Sequence, residues 1–490
     1  SRGGSRHRKA QGKPWAYVRS MPKSYSSCAE SSVTVCKVLD ELPFGFFHVA
    51  HILWTAAAVA IFAISSEMTP YMFEGLQRHF SADNDELSTY AASFQAGCAF
   101  GSLLSPVLAD KLGRKPTLVF SVTLTATLNY GSTFATSLHM LLILRTLGSA
   151  SWGIAYSALG PWYVEFLPTC SRGTMLAAIT LGWPLGRGAV IMGSDFFNDD
   201  WQKMQMLSAV SMGILMLGTA LIHESPRFLV ATGRADEAKA VLSSLHRTNG
   251  STWSSNSRLC LDPESWQDER SWQDLFSGEY FPRMRFCLIL FTLLSMTIVL
   301  IDTWGPLIFQ NLMFPEDTDL PRGLLMIFNI GDFCGLVISV LVIDTIGRRG
   351  SFAVGFFFQG VVFLSLAGTN MLKDDSRLYV QAILGAISAS CRSFAWEGAV
   401  MWALEAFPTS LRAAALSLSR VVMQLMAIVT LKVSAQYLSS FSAFLWLRLL
   451  GCTLLTAGVI VAFCNPRETA GVPLTEGSPG TTKASYFNQA

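Results

Sequence analysis

Charge is scarce in this chain: Asp, Glu, Lys and Arg make up 14% of 490 residues, against ~25% in ordinary soluble domains. What charge there is nearly cancels, with 36 Lys and Arg against 34 Asp and Glu, so no global field points to nucleic acid. The ten cysteines run from Cys28 to Cys464 without a CxxC pair or a Cys/His cluster at metal spacing. That pattern argues against a disulfide framework and a zinc site and leaves most thiols as small buried apolar groups. GxSxG, HExxH and GxxxxGK[ST] are all missing. Enzymes built on a serine elbow or a zinc helix are thereby set aside, and so is direct use of ATP. No cofactor and no metal is expected.

What the chain has instead is apolar length. Hydrophobic residues reach 51%, and mean hydropathy is +0.39. Runs long enough to cross a bilayer lie at roughly 50–74, 88–109, 117–137, 139–162, 173–194, 204–222, 284–309, 322–343, 351–371, 378–403, 412–436 and 441–464. The expected fold is an all-α membrane protein of twelve transmembrane helices. Its organisation reads as a basic cytosolic N-terminal tail (1–46), a six-helix half (47–222), a cytosolic linker (223–283), a second six-helix half (284–464) and a disordered cytosolic tail (465–490). Residues 1–29 carry seven Lys and Arg and no acid. A transit peptide shares that composition; a basic cytosolic tail is the plainer reading. Within the linker, GRADEAKAVLSSL (233–245) has helical periodicity.

Orientation follows from the placement of Lys and Arg. Short loops after the second, fourth, eighth and tenth runs hold Lys111, Arg114, Lys115, Arg172, Arg348, Arg349 and Arg412, while opposite loops hold Asp83, Asp85, Glu86, Asp199 and Asp200. The basic loops, both termini and the linker are therefore expected in the cytosol. The sequon Asn249-Gly250-Ser251 then stays unglycosylated.

The chain repeats itself. Residues 97–115 return at 331–349, 234 positions on, with Gly97/Gly331, Gly101/Gly335, Ser105/Ser339, Asp110/Asp344, Gly113/Gly347 and Arg114/Arg348 coinciding. EFLPTCSR (165–172) returns as EAFPTSLR (405–412). An even number of runs separates the copies, so both cross the membrane in the same direction, as in transporters made of two parallel six-helix halves. The GxxxG pairs bring helices close, either as static packing or as a sliding seam between the halves. At the turns, Gly113 and Gly347 permit a tight reversal. Asp110 and Asp344 are placed to accept from the amides of the next helix, and Arg114 and Arg348 to meet Glu165 and Glu405. Asp110, Arg114, Glu165, Arg172, Asp344, Arg348, Glu405 and Arg412 form a candidate cytosolic gate; the plain alternative is that these charges only fix topology.

DKLGRK (110–115) and DTIGRR (344–349) resemble the loop signature of the major facilitator superfamily. The EFLPTCSR and EAFPTSLR pair, with HESPRFL (223–229) and Gly233-Arg234, is similar to its sugar and organic-ion branch. Glu67-Met68 and Asp332-Phe333-Cys334-Gly335 most resemble synaptic vesicle 2-related transporters. The resemblance spans about 45–465 and implies the major facilitator fold with secondary active transport by alternating access. The chain departs from the pattern at His223, where the branch has Pro, and at Pro106 and Val340, where the signature has Gly.

Ionisable residues at membrane depth face a cavity or a partner. Glu67, Arg145, Arg187, Asp302, Asp332, Arg392, Glu397 and Arg420 qualify by depth. Arg392 and Trp396 share a helix face, as do Arg420 and Gln424. The candidates for substrate or proton contact are Glu67, Arg187, Asp332, Arg392, Trp396, Glu397, Arg420 and Gln424, headed by Arg392, Glu67 and Arg187. Structural pairing of these charges is the competing reading. In organic-ion relatives the twelfth residue after the Arg of ExxPTxxR sorts anions from cations. The resemblance places neutral Gln424 there, with Arg420 one turn nearer the cytosol. Arg420 favours an anion or zwitterion; Glu67 argues for a cation or supplies a protonatable carboxylate. The expected function is transport of a small organic solute, with organic anion or zwitterion ahead of cation and sugar, and with protons as the candidate coupling ion. A non-transporting receptor or vesicle scaffold with a transporter fold is the alternative. The protein is expected as a monomer in the plasma membrane or an intracellular vesicle or organelle membrane.

Overall fold

Inside hydrocarbon a backbone must satisfy its own N–H and C=O groups, so each apolar run has to fold as a helix. The computed structural model describes residues 32–168, 172–253, 258–260, 272–278, 280–303, 322–369, 374–407, 409–438 and 443–463. Every expected run is helical there. The first half holds span 1 (Phe46–Glu67), span 2 (Asn84–Leu112), span 3 (Arg114–Ser132), span 4 (Leu138–Val164), span 5 (Thr174–Phe197) and span 6 (Trp201–Leu221). The second holds span 7 (Phe281–Ile298), span 8 (Arg322–Ile343), span 9 (Thr345–Gly368), span 10 (Asp374–Glu405), span 11 (Thr409–Leu438) and span 12 (Ala443–Phe463).

Among the described residues, nine helices are long and apolar enough to cross a membrane by composition alone. Span 12 is represented there only by the shorter apolar stretch Leu447–Val461; spans 3 and 10 fall short because they carry polar side chains turned inward. On span 3, Thr117, Ser121 and Thr125 bond back to the carbonyls four residues earlier, and Asn129 Nδ2 donates to Ser208 Oγ of span 6 at 3.0 Å. On span 10 the buried polar positions include Gln381, Ser388, Arg392, Ser393 and Glu397. Span 5 breaks at Leu181, between helices Arg172–Thr180 and Gly182–Phe197. Pro184, which lacks an N–H, sits in the first turn after the break.

The duplicated segments fold alike. Gly113 (φ 107°) and Gly347 (φ 82°) make the two tight reversals in left-handed backbone that disfavours a side chain. The GxxxG pairs pack within a half. A Cβ on Gly97 would lie 2.3 Å from the Thr146 carbonyl oxygen, and one on Gly101 2.0 Å from that of Ala150, both on span 4. In the second half, a Cβ on Gly331 would lie 2.3 Å from the Ala386 oxygen of span 10. These seams join spans 2 to 4 and 8 to 10, not one half to the other.

Beyond the basic turns, the linker forms helices Pro226–Ala231 and Ala235–Thr248 and a strand Arg258–Cys260. That strand pairs in parallel with Ser32–Thr34, which leads into the helix Val35–Asp40. The stretch just before the first half is thus structured and packs on the linker. The sequon asparagine is a clamp: Asn249 Oδ1 accepts from Phe47 N at 2.8 Å, and its Nδ2 donates to the Pro43 carbonyl at 2.8 Å. His48 and His51, which their place at the start of span 1 suggests are interfacial, are buried; His51 stacks on Tyr163. The tail 465–490 lies outside the described residues.

Candidate functional site

A cavity of about 190 Å³ lies between the halves, walled by spans 1, 2, 4 and 5 of the first and 7, 8, 10 and 11 of the second. Glu67, Arg187, Asp332, Arg392, Trp396, Glu397, Arg420 and Gln424 all line it. Eight side chains picked from five helices therefore share one space.

Five charges at its centre are joined in one network of ion pairs. Glu67 ends span 1, where its carboxylate accepts from Trp183 Nε1 at 3.0 Å and Arg187 Nε at 3.1 Å. Arg187 then crosses to the second half, with Nη2 3.2 Å from Asp302 and Nη1 3.1 Å from Asp332. Arg392 closes the chain by donating to Asp302 and, at 3.0 Å, to Asp332. Ser393 donates to Asp332 as well. Each aspartate bridges both guanidiniums, a geometry that a planar multi-donor fork favours. Asp302 ranks only among the membrane-depth charges in the sequence, yet it is central here. Its position comes from the π-helical turn Val299–Thr303 that follows span 7, a distortion that re-aims a side chain and often marks functional sites.

Two charges in the same cavity are left over. Glu397 is buried, 1% exposed, and one of its carboxylate oxygens has no hydrogen-bond partner among the described residues. Thr180 of span 5, which also lines the cavity, donates its hydroxyl to the Ala177 carbonyl at 2.6 Å. Arg420 makes no ion pair among the described residues; its guanidinium lies 5.0 Å over the Tyr156 ring of the opposite half. Tyr156 stacks on Trp152 and meets Trp183 edge-on, so the wall around these two charges is aromatic. Arg145 stays outside the cavity. It donates to Tyr90 Oη at 2.9 Å and to Thr69, with its guanidinium stacked on Tyr90 and Phe94.

The basic turns use their charges locally. Arg114 pairs with Asp110 at 3.0 Å and Glu165 at 3.3 Å, all within the first half. Arg348 pairs with Glu405 at 3.0 Å within the second. The amides that open span 3 are capped by Glu224 of the linker, which accepts from Arg114 N at 3.1 Å and Lys115 N at 3.2 Å. That role was expected of Asp110, whose side chain turns to Arg114 instead. Glu224 follows span 6 directly, and only the fold brings it to the turn. The side chains of Arg172, Asp344 and Arg412 lie outside the described residues. At this end the halves touch through a small apolar contact of Ala177 with Ile343 and Met401.

The opposite, acidic end is packed across the seam. Tyr90, Met72 and Trp201 of the first half share a core with Leu324, Phe328 and Leu431 of the second. Ion pairs reinforce it. Arg322 meets Asp199 directly and Asp195 at 3.4 Å, and Lys432 Nζ meets Asp85 at 2.9 Å. Asp199 lies in the loop beyond span 5, 4% exposed. Burial pushes its carboxyl up to about 6 against the pull of Arg322 and Arg78; Glu74 adds to the rise.

A family profile described as "Sugar (and other) transporter" matches residues 47–479. H(+)/hexose cotransporter 2 of Parachlorella kessleri is 28% identical over 419 residues, covering 80% of this chain and 75% of that one. The protein svop-1 of Caenorhabditis elegans is 24% identical over 466 residues, covering 90% and 87%. The xylose transporter XylE from Escherichia coli, in a partially occluded inward open conformation, superposes with a TM-score of 0.69 at 16% identity, over 86% of this chain and 100% of that one.

Proposed function

The chain belongs to the sugar (and other) transporter family, within the major facilitator superfamily, and on that premise we propose that it moves a small organic anion or zwitterion across a membrane by alternating access. The halves rock about the central cavity, and the ends open in turn. The basic turns, the linker and both termini face the cytosol on this reading, in keeping with the placement of Lys and Arg. One observation carries it: Arg187 of the first half is held by Asp302 and Asp332 of the second inside the cavity. A buried ion pair across a seam is a two-state element, since separating it leaves uncompensated charge. A ligand that supplies replacement charge changes the balance between the two states.

Coupling to protons fits the same residues. Glu67, Asp302 and Asp332 oppose Arg187 and Arg392, so three carboxylates face two guanidiniums and one negative charge remains. One proton neutralises the set. A relative named as a proton/hexose cotransporter is in keeping with that arithmetic.

The test is reciprocal accessibility. On a background lacking the exposed Cys334 and Cys452, single cysteines are placed at Ser102, toward the basic end, and at Asp85, at the acidic end. In proteoliposomes, a transported solute is expected to slow labelling at one position while speeding it at the other. Unchanged labelling at both, with no uptake of anions, zwitterions, cations or sugars, would leave a scaffold with a transporter fold.

A further inference from the structure

We infer that the cavity is built for a zwitterion, with Arg420 receiving the solute's carboxylate and Glu397 its ammonium group; this rests on the transporter reading above and names the solute class.

The cavity holds charges that are joined in ion pairs and charges that are not. Glu67, Arg187, Asp302, Asp332 and Arg392 satisfy one another. Glu397 and Arg420 line the same cavity, and among the described residues neither has an ionic partner of opposite sign. They do not pair with each other either, although Tyr156 lies within electrostatic reach of both. A carboxylate 1% exposed with an oxygen lacking a donor is costly to keep unless something arrives to satisfy it.

Each competing solute class leaves one charge worse off. An anion satisfies Arg420 but brings a second negative charge toward Glu397, and a cation does the reverse. A sugar leaves both charges without a counter-ion. A zwitterion satisfies both poles at once. The wall between them favours an ammonium that carries alkyl groups. Tyr156, Trp183 and Trp396 present rings to the cavity, and Arg420 itself rests 5.0 Å over Tyr156, which places a cation on that ring already. Aromatic faces attract alkylated ammonium groups through their quadrupoles.

Binding of three near-isosteric probes to the full chain in lipid nanodiscs decides the matter. Trimethylglycine carries both charges. Tert-butylacetate keeps the carboxylate and replaces nitrogen by carbon, and choline keeps the ammonium without the carboxylate. The same comparison is run with homologues two methylenes longer, so that one length spans the two poles. The zwitterion is expected to bind about tenfold tighter than either single-charge probe, the effect of one additional charge-assisted contact. Glu397→Gln is expected to remove the advantage over the anion, by weakening the zwitterion and, with the repelling charge gone, raising the anion's own affinity. Arg420→Gln is expected to remove the advantage over choline, and Arg420→Lys to keep part of it. Equal affinity for zwitterion and anion in the unaltered chain overturns the assignment, as does a lack of binding by every probe. Those comparisons need no variant, so a misfolded Glu397→Gln protein does not rescue the idea. If binding fails while reciprocal cysteine protection persists for some other solute, only the zwitterion is lost. If the protection itself is absent, the transporter reading goes with it.

Discussion

At the basic end Arg114 reaches Glu165 at 3.3 Å and Arg348 reaches Glu405 at 3.0 Å, each pair inside one half. At the centre Arg187 leaves its own half to meet Asp302 and Asp332 at 3.2 and 3.1 Å. The duplicated arginines Arg114 and Arg348 therefore pair inside one six-helix unit, while Arg187, which has no duplicate, ties the two units together. The difference has a physical source. A repeat copies contacts made within a unit, because both copies meet the same neighbours. The face that one half turns to the other has no such constraint, so its charges are free to be complementary.

The sharpest way to break this contrast is Arg187→Met. It leaves Glu67, Asp302 and Asp332 facing one guanidinium, and breaking a buried pair costs about 3–5 kcal/mol. We expect a large fall in melting temperature and loss of uptake, with partial recovery on adding Asp302→Asn. Additive losses in that double-mutant cycle would show that the two residues are not coupled.

A smaller loss is expected from Arg114→Ala. It removes the Glu165 pair and the stacking of the guanidinium 5.1 Å from Phe228, a loss of about 1–2 kcal/mol for a charged hydrogen bond that is partly exposed. Stability should drop without a change in labelling of a cysteine at Met401, on the seam. Faster labelling there would turn this charge from a brace within one half into a gate between halves.

The acidic end belongs with the centre, since Arg322 and Lys432 of the second half meet Asp199 and Asp85 of the first. Asp199 faces Arg322, Arg78 and Glu74. Its carboxyl rises from the ordinary value near 4 to about 6 in the closed arrangement. A raised value means that the closed arrangement binds the proton more tightly than the open one. Its extra stability is therefore fully present at and below pH ~4, is lost as pH climbs to about 6, and is flat above that. Spin-label distances across the acidic end, followed from pH 4 to 8, should show more closed protein at the low end of that window. Asp199→Asn should flatten the profile; an unchanged profile in that variant would assign the dependence elsewhere.

The smallest effect is expected at Asp110, whose side chain is 70% exposed although it pairs with Arg114. Asp110→Asn should move stability by less than about 0.5 kcal/mol. A loss as large as that of Arg114→Ala would mean that the turn, not the Glu165 pair, braces the first half.

Much of the architecture was legible before any fold was known. Apolar run length places all twelve helices, and the duplicated turns give the two-half plan. Membrane depth alone gathers Glu67, Arg187, Asp332, Arg392, Glu397 and Arg420 as candidates, and one cavity holds them. The break at Leu181, the π turn that delivers Asp302 and the cap supplied by Glu224 were not legible. Each depends on how a helix is rotated or where a distant segment returns, which neither periodicity nor spacing records. The same holds for His51 of span 1, which packs on Trp162, Tyr163 and Phe166 of span 4 and the loop after it.

By itself the sequence determined that this chain crosses a membrane in two related halves with charge at the centre, because bilayer thickness and the cost of polar backbone in lipid act on every run separately. Tertiary structure alone decided which of those charges pair with one another and which, Glu397 and Arg420, have no ionic partner among the described residues. Coulomb energy in a low-dielectric interior depends on separations of a few ångströms, and those distances exist only after the halves have packed.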